Sequence, residues 1–135
     1  MNKWILLPGL LLFSSCYAAV YDSPEMAMTV DSSQSRFVIS LPSNPTTGYS
    51  WTLKNYNSNL FKLLSSQFHP LKPKLIGSGG KTVFVFQVLK GVKLPVRSTF
   101  EFFYARPWEP ENGRTQKVRV NFQKGLNTAA PVIGE

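Results

Sequence analysis

Cysteine, histidine and acid are all scarce in this chain of 135 residues. Cys16 is its one cysteine, His69 its one histidine, and seven Asp and Glu stand against fifteen Lys and Arg. A single cysteine forms no internal disulfide and builds no cysteine metal site, so the fold stands on packing alone. A Ser-His-Asp arrangement would have to draw on His69 and on Asp22 or Asp31, which lie in the N-terminal tail and first turn. Glu109 and Glu111 read as exposed turn residues beside two prolines rather than as a glycosidase pair. Gly80-Lys81-Thr82 matches the end of a phosphate-binding loop, but Leu75 occupies the position of that loop's first glycine and a strand follows. The lysines are scattered and no RNP or zinc pattern occurs, which argues against nucleic acid. These absences favour a binding protein over an enzyme, with no metal and no cofactor.

The first residues stand apart. Met1-Asn2-Lys3 is a short positive start, and Trp4 to Phe13 is an apolar run interrupted only by Pro8 and Gly9. That run is too short for a spanning helix of about 20 residues and reads as a secretory leader. Two processing routes compete. Phe13-Ser14-Ser15-Cys16 resembles a bacterial lipoprotein box, in which Cys16 is lipidated, whereas cleavage after Ala18 or Ala19 removes Cys16. Both put the domain outside the cytoplasm, lipid-anchored, periplasmic or secreted. The expected organisation is a leader over residues 1–19, a linker over 20–25, one domain over 26–124 and a tail over 125–135. Loss of Lys3 with the leader leaves fourteen Lys and Arg against seven acids, about +7, which favours acidic partners or anionic surfaces.

Within the domain no stretch has a 3.6-residue apolar period of helical length. Short segments with period-two alternation or β-branched and aromatic enrichment predict strands instead. They are Met26 to Val30, Arg36 to Leu41, Tyr49 to Leu53, Leu60 to Phe68, Lys81 to Leu89, Leu94 to Ala105 and Thr115 to Gln123. The long sixth segment places Leu94, Val96, Ser98, Phe100, Phe102 and Tyr104 inward and leaves Phe103 on the wet face. His69 to Pro73 reads as an edge or loop, because proline cannot donate to a ladder, and Pro110 to Arg114 reads as a turn. About seven or eight short strands in some hundred residues fit an all-β, antiparallel sandwich or barrel.

Three loop cassettes adjoin these strands. Asn44-Pro45-Thr46-Thr47-Gly48 is a stiff tip with two adjacent hydroxyls and a glycine that lets the chain reverse before Tyr49. Gly77-Ser78-Gly79-Gly80 removes side chains, for a tight turn or for close approach to a partner. Arg106-Pro107-Trp108 holds a tryptophan on a proline-stiffened tip, either as interface area or folded back over the core. Arg106 is placed to pair with Glu109 or to bond a partner. Sandwich loops gather at two ends, and the register must decide whether these three share one.

In order and spacing the three cassettes, with Tyr49-Ser50-Trp51 and Tyr104-Ala105, resemble the chagasin-like family of inhibitors of papain-like cysteine peptidases. The resemblance covers roughly Thr29 to Phe122, with Tyr49 where many members carry phenylalanine. It implies an immunoglobulin-like fold whose loops form a wedge that occupies the peptidase cleft reversibly. On this sequence Asn44, Pro45, Thr46, Thr47 and Gly48 would approach the enzyme's catalytic cysteine and histidine, with Thr47 central. Gly77, Ser78, Gly79 and Gly80 would flank them on one side, and Arg106, Pro107 and Trp108 on the other. The expected partner is a papain-like cysteine peptidase bound by a monomer, with no nucleic acid and with membrane attachment only through lipidated Cys16. Two other readings use the same loops: a β-sandwich module for a surface protein or glycan, and a structural envelope lipoprotein. If the lipoprotein box is used, Cys16→Ser abolishes lipidation and releases the domain from the membrane fraction. Mass spectrometry of the mature N-terminus checks this, and an unlipidated N-terminus at Ala19 or Val20 means that the box is not used.

Overall fold

The computed structural model describes residues 24–72, 75 and 77–126. The leader, Cys16, most of the linker and the tail beyond residue 126 lie outside the described residues. Seven strands form: β1 Met26–Asp31, β2 Arg36–Ser43, β3 Ser50–Asn55, β4 Phe61–Pro70, β5 Gly80–Val88, β6 Arg97–Arg106 and β7 Glu109–Gln123. One sheet has the order β1-β7-β6-β3 and the other β2-β5-β4. The expected all-β sandwich is present, with one departure. β1 runs parallel to β7, from Met26 opposite Val118 to Asp31 opposite Gln123, so the larger sheet is mixed.

The core lies where the two sheets face each other, and phenylalanine fills it. Phe37, Phe61, Phe84, Phe86, Phe100, Phe102 and Phe122 are all buried, with Ile39, Leu41, Val118 and Val120 between them. Phe37 sits at the centre, its ring 5.5 Å from those of Phe61 and Phe86 and 5.7 Å from those of Phe100 and Phe122. Edge-on and offset contacts at these separations suit the ring quadrupole and add to the area buried. Trp51 of β3 also crosses between sheets, its Nε1–H donating to the Pro42 carbonyl at 2.9 Å. A chain without an internal disulfide is thus closed by aromatic packing and one buried indole bond.

Two strand boundaries lie three or more residues from expectation, both at prolines. The sixth strand begins at Arg97 rather than Leu94, and Val96 is 79% exposed. Pro95 cannot donate to a ladder, and the Val96 carbonyl accepts from the Phe122 amide instead. Pro110 to Arg114 is not a turn but the start of β7. β1 covers β7 only from Val118 onward, so the earlier half of β7 has one free edge where a proline is tolerated. The reversal occurs one step sooner, at Pro107-Trp108, with Arg106 opposite Glu109. Phe103, on the outer face, lies against Gly113, where a Cβ would collide with its ring.

β4 continues through His69 and Pro70 as the edge of its sheet, with a bulge between Leu63 and Ser65. Gly80 is not in a loop: it opens β5 between Ser43 of β2 and Pro70 of β4. A Cβ on Gly80 would strike the His69 carbonyl oxygen and crowd the Pro70 Cα, so the backbone itself would have to move. Gly80→Ala is expected to cost about 1–3 kcal/mol of stability, read as a lower denaturant midpoint with an unchanged slope.

Candidate functional site

Strand succession decides where the cassettes lie. From β2 to β7 each strand reverses on the last, so the β2–β3, β4–β5 and β6–β7 connections all emerge at one end. The first connection carries Asn44 to Gly48, the second ends in Gly77 to Gly79, and the third is Pro107-Trp108. The sequence brings all three cassettes to a single surface, with Gly80 standing just inside it as the first residue of β5.

Asn44 ties that surface together. Its amide N–H donates to the Tyr104 hydroxyl at 3.2 Å, and its Nδ2 donates to the Gly77 carbonyl of the second loop at 3.3 Å. Its Oδ1 accepts from Thr46 Oγ1 at 2.6 Å. Its carbonyl accepts from Thr47 Oγ1 at 2.6 Å and from the Thr47 amide at 3.2 Å. Pro45 to Thr47 therefore close as a single 3₁₀ turn with proline at its start, the position where a fixed φ and a missing donor do no harm. Gly48 ends the turn at φ +82°. Its amide bonds back to the Pro45 carbonyl at 2.9 Å, a left-handed cap natural to glycine.

The third loop is fastened to the first by Arg106. Its Nε donates to the Thr47 carbonyl at 2.8 Å, and Nη1 pairs with Glu109 at 3.3 Å. The guanidinium carbon lies 4.7 Å from the centre of the Tyr49 ring, and Tyr49 stacks on Tyr104 at 5.1 Å. Tyr49 is half-buried rather than inside, because it serves as the floor beneath Arg106. Trp108 does not cap the core. It is 66% exposed, with its ring laid over Gly48, where a Cβ would come within 2.5 Å of Cη2.

What emerges is a continuous surface of Pro45, Thr46, Thr47, Gly48 and Trp108, backed by the second loop. It has few long, freely rotating side chains and holds no nucleophile beside a base. No group of three or more His, Cys, Asp and Glu capable of holding a metal occurs among the described residues. Such a surface binds by shape.

A model of the chagasin family of peptidase inhibitors, I42, matches residues 32–122. The chain belongs to this family. Chagasin from Trypanosoma cruzi is 37% identical over 87 residues, 61% of this chain and 74% of that protein. Amoebiasin-1 from Entamoeba histolytica is 31% identical over 109 residues, 76% and 95% of the two chains. The crystal structure of the cysteine protease inhibitor EhICP2 from Entamoeba histolytica shares the fold, with a TM-score of 0.53 and 22% identity over 73% of this chain and 87% of that one. The family is one of inhibitors, so this chain acts by occupying a peptidase rather than by catalysis.

Sequence reasoning listed the loop residues but missed their supports. Tyr104 stands in the sequence as an inward side chain and as part of the third motif, but nothing local reveals that its hydroxyl holds Asn44 or that Arg106 bonds to Thr47. The available signal is a tyrosine that follows Phe100 and Phe102 in the inward row, since a half-buried phenol needs a partner. Tyr104→Phe leaves the Asn44 amide without its acceptor and is expected to cost about 1–3 kcal/mol of stability. It should also weaken inhibition severalfold without altering any residue of the exposed surface, as thermal melts and inhibition constants on the one variant will show.

Proposed function

We propose that the fastened loop end is the inhibitory surface of this protein, a reversible inhibitor of papain-like cysteine peptidases. In this reading the Asn44–Gly48 turn enters the active-site cleft with Thr47 nearest the catalytic cysteine and histidine. Gly77, Ser78, Gly79 and Gly80 flank it on one side, and Arg106, Pro107 and Trp108 flank it on the other. The observation that carries the reading is the pair of bonds from Asn44 to Gly77 and from Arg106 to Thr47, which join three loops into one body.

The physical consequence is preorganisation. A surface ordered during folding has little left to order on binding, so more of its contact energy survives as affinity. The turn geometry also matters for survival of the inhibitor. A substrate must lie extended across a peptidase cleft, whereas Pro45 to Thr47 is coiled into a 3₁₀ turn and does not offer a bond in the extended form. We place the domain outside the cytoplasm on the strength of the leader, tethered by lipid where Cys16 is retained.

The test is direct. The purified protein added to papain should suppress hydrolysis of a small peptide substrate, reversibly on dilution. No inhibition at micromolar protein across several papain-like enzymes would overturn the reading in favour of a surface-binding module. Trp108→Ala is expected to weaken inhibition by about 1–4 kcal/mol, the range of an aromatic hot spot. Because the ring is mostly exposed, the melting temperature should hardly change. A large fall in melting temperature with inhibition intact would mean that Trp108 is structural and the interface lies elsewhere.

A further inference from the structure

Bases lie on both sheets of this chain, but the strand acids lie on one. Between Asp31 and Glu101 there are nine Lys and Arg and no Asp or Glu, and this stretch contains the whole β2-β5-β4 sheet. The inner face of that sheet carries Phe37, Ile39, Leu41, Phe61, Phe84 and Phe86. The outer face follows from the register as four rows across three strands. Arg36, Gln87 and Lys62 form one row, Val38, Val85 and Ser65 the next, Ser40, Val83 and Gln67 the third, and Pro42, Lys81 and His69 the last. The nearest acid in sequence, Asp31, belongs to β1. Its carboxylate is engaged by the Ser33 amide at 2.9 Å and the Ser33 hydroxyl at 2.7 Å, and these bonds hold its pKa below the usual carboxylate range.

We propose that this outer face is a docking surface for an anionic phospholipid bilayer. It is a sheet face with no acid, its basic side chains sit in the two end rows, and its two central rows hold Val38, Val83 and Val85 among uncharged Ser40, Ser65 and Gln67. Lys81 and Gln87 are six residues apart on β5, so the basic rows are separated by about 20 Å at the usual strand rise. A linear polyanion is served by a continuous basic track, whereas here two uncharged rows interrupt it, and Val38 is 43% exposed in the gap. A phospholipid interface satisfies both features at once, with phosphates for the end rows and an acyl boundary that accepts small apolar side chains. The opposite sheet does not offer this, since Glu101 lies among its bases and pairs with Lys117. The peptidase-facing loops project past the end of the face, so docking leaves them free. Stable anchoring takes two attachments, and a basic patch can serve as one of them. The face therefore complements a lipid on Cys16 without requiring one.

The experiment is partitioning of the full chain onto vesicles of mixed phosphatidylglycerol and phosphatidylcholine, against phosphatidylcholine alone, at low and high salt. The contribution of the face is the excess binding to the anionic vesicles, which sets aside any affinity of the leader for lipid. At about fivefold per basic side chain near a charged bilayer, the triple variant Arg36→Gln, Lys62→Gln, Lys81→Gln should lose about a hundredfold of that excess. Inhibition of papain should be unchanged, which also reports that the variant is folded. A second triple, Lys54→Gln, Arg97→Gln, Lys117→Gln, removes the same charge from the other sheet and should retain most of the binding. Equal losses in the two triples would mean that net charge alone is at work and would overturn the proposal. So would equal binding to anionic and neutral vesicles, or a face that binds heparin or duplex DNA but not phosphatidylglycerol.

Discussion

Every part of the inhibitory end leans on Asn44. It is the first residue after β2, and its backbone and side chain reach the β6 tyrosine, the second loop and both threonines of its own turn. A side chain that donates from one atom and accepts at another is needed there, and the asparagine amide supplies both. Aspartate would keep the Thr46 bond but could not donate to Gly77. Arg106 completes the arrangement from the opposite side, so the Thr47 carbonyl is held by the third loop while the Thr47 hydroxyl is held by Asn44. Three connections far apart in sequence become one rigid object through a handful of hydrogen bonds.

That object is useful because the scaffold beneath it does not yield. Seven buried phenylalanines lock the two sheets, and the Trp51 indole bonds from one sheet to the other directly under the first loop. The entropic cost of ordering the loops is met when the domain folds and is not charged again on binding. Glycine is used at this end for space as much as for conformation. Gly48 makes room for Trp108, and Gly80 lets β5 start in close contact with His69 and Pro70. Both positions set how close one segment comes to another, and thereby the shape of the surface.

Much of this was legible in the sequence, for identifiable reasons. Strand positions followed from period-two alternation, as in Arg36 to Leu41, where Phe37, Ile39 and Leu41 are all buried. The loops were marked by Asn-Pro, Gly-Gly and Arg-Pro-Trp. Errors fell where proline had two readings. Pro95 keeps Leu94 to Val96 out of a strand that periodicity extends over them, and Pro110 lies inside β7 where the sequence reads as a turn. Both outcomes depend on which neighbour lies alongside, a property of the assembled sheet. The parallel pairing of β1 with β7 and the bonds made by Tyr104 and Arg106 were hidden for the same reason. They join residues tens of positions apart and leave no local pattern.

The central claim is that one end of the sandwich, already assembled, fills the cleft of a papain-like peptidase. Hydrogen–deuterium exchange of the inhibitor, alone and saturated with papain, addresses it most directly. The account predicts slow exchange at the Asn44, Thr47, Gly48 and Leu71 amides already in the free protein, since these donate to Tyr104, Asn44, Pro45 and Gly79. Papain should add protection confined to the segments around Asn44–Gly48, Gly77–Gly80 and Arg106–Trp108. Protection appearing instead at the opposite end, around Asn57–Asn59 and Lys90–Lys93, or rapid exchange of the loops in the free protein, would contradict it.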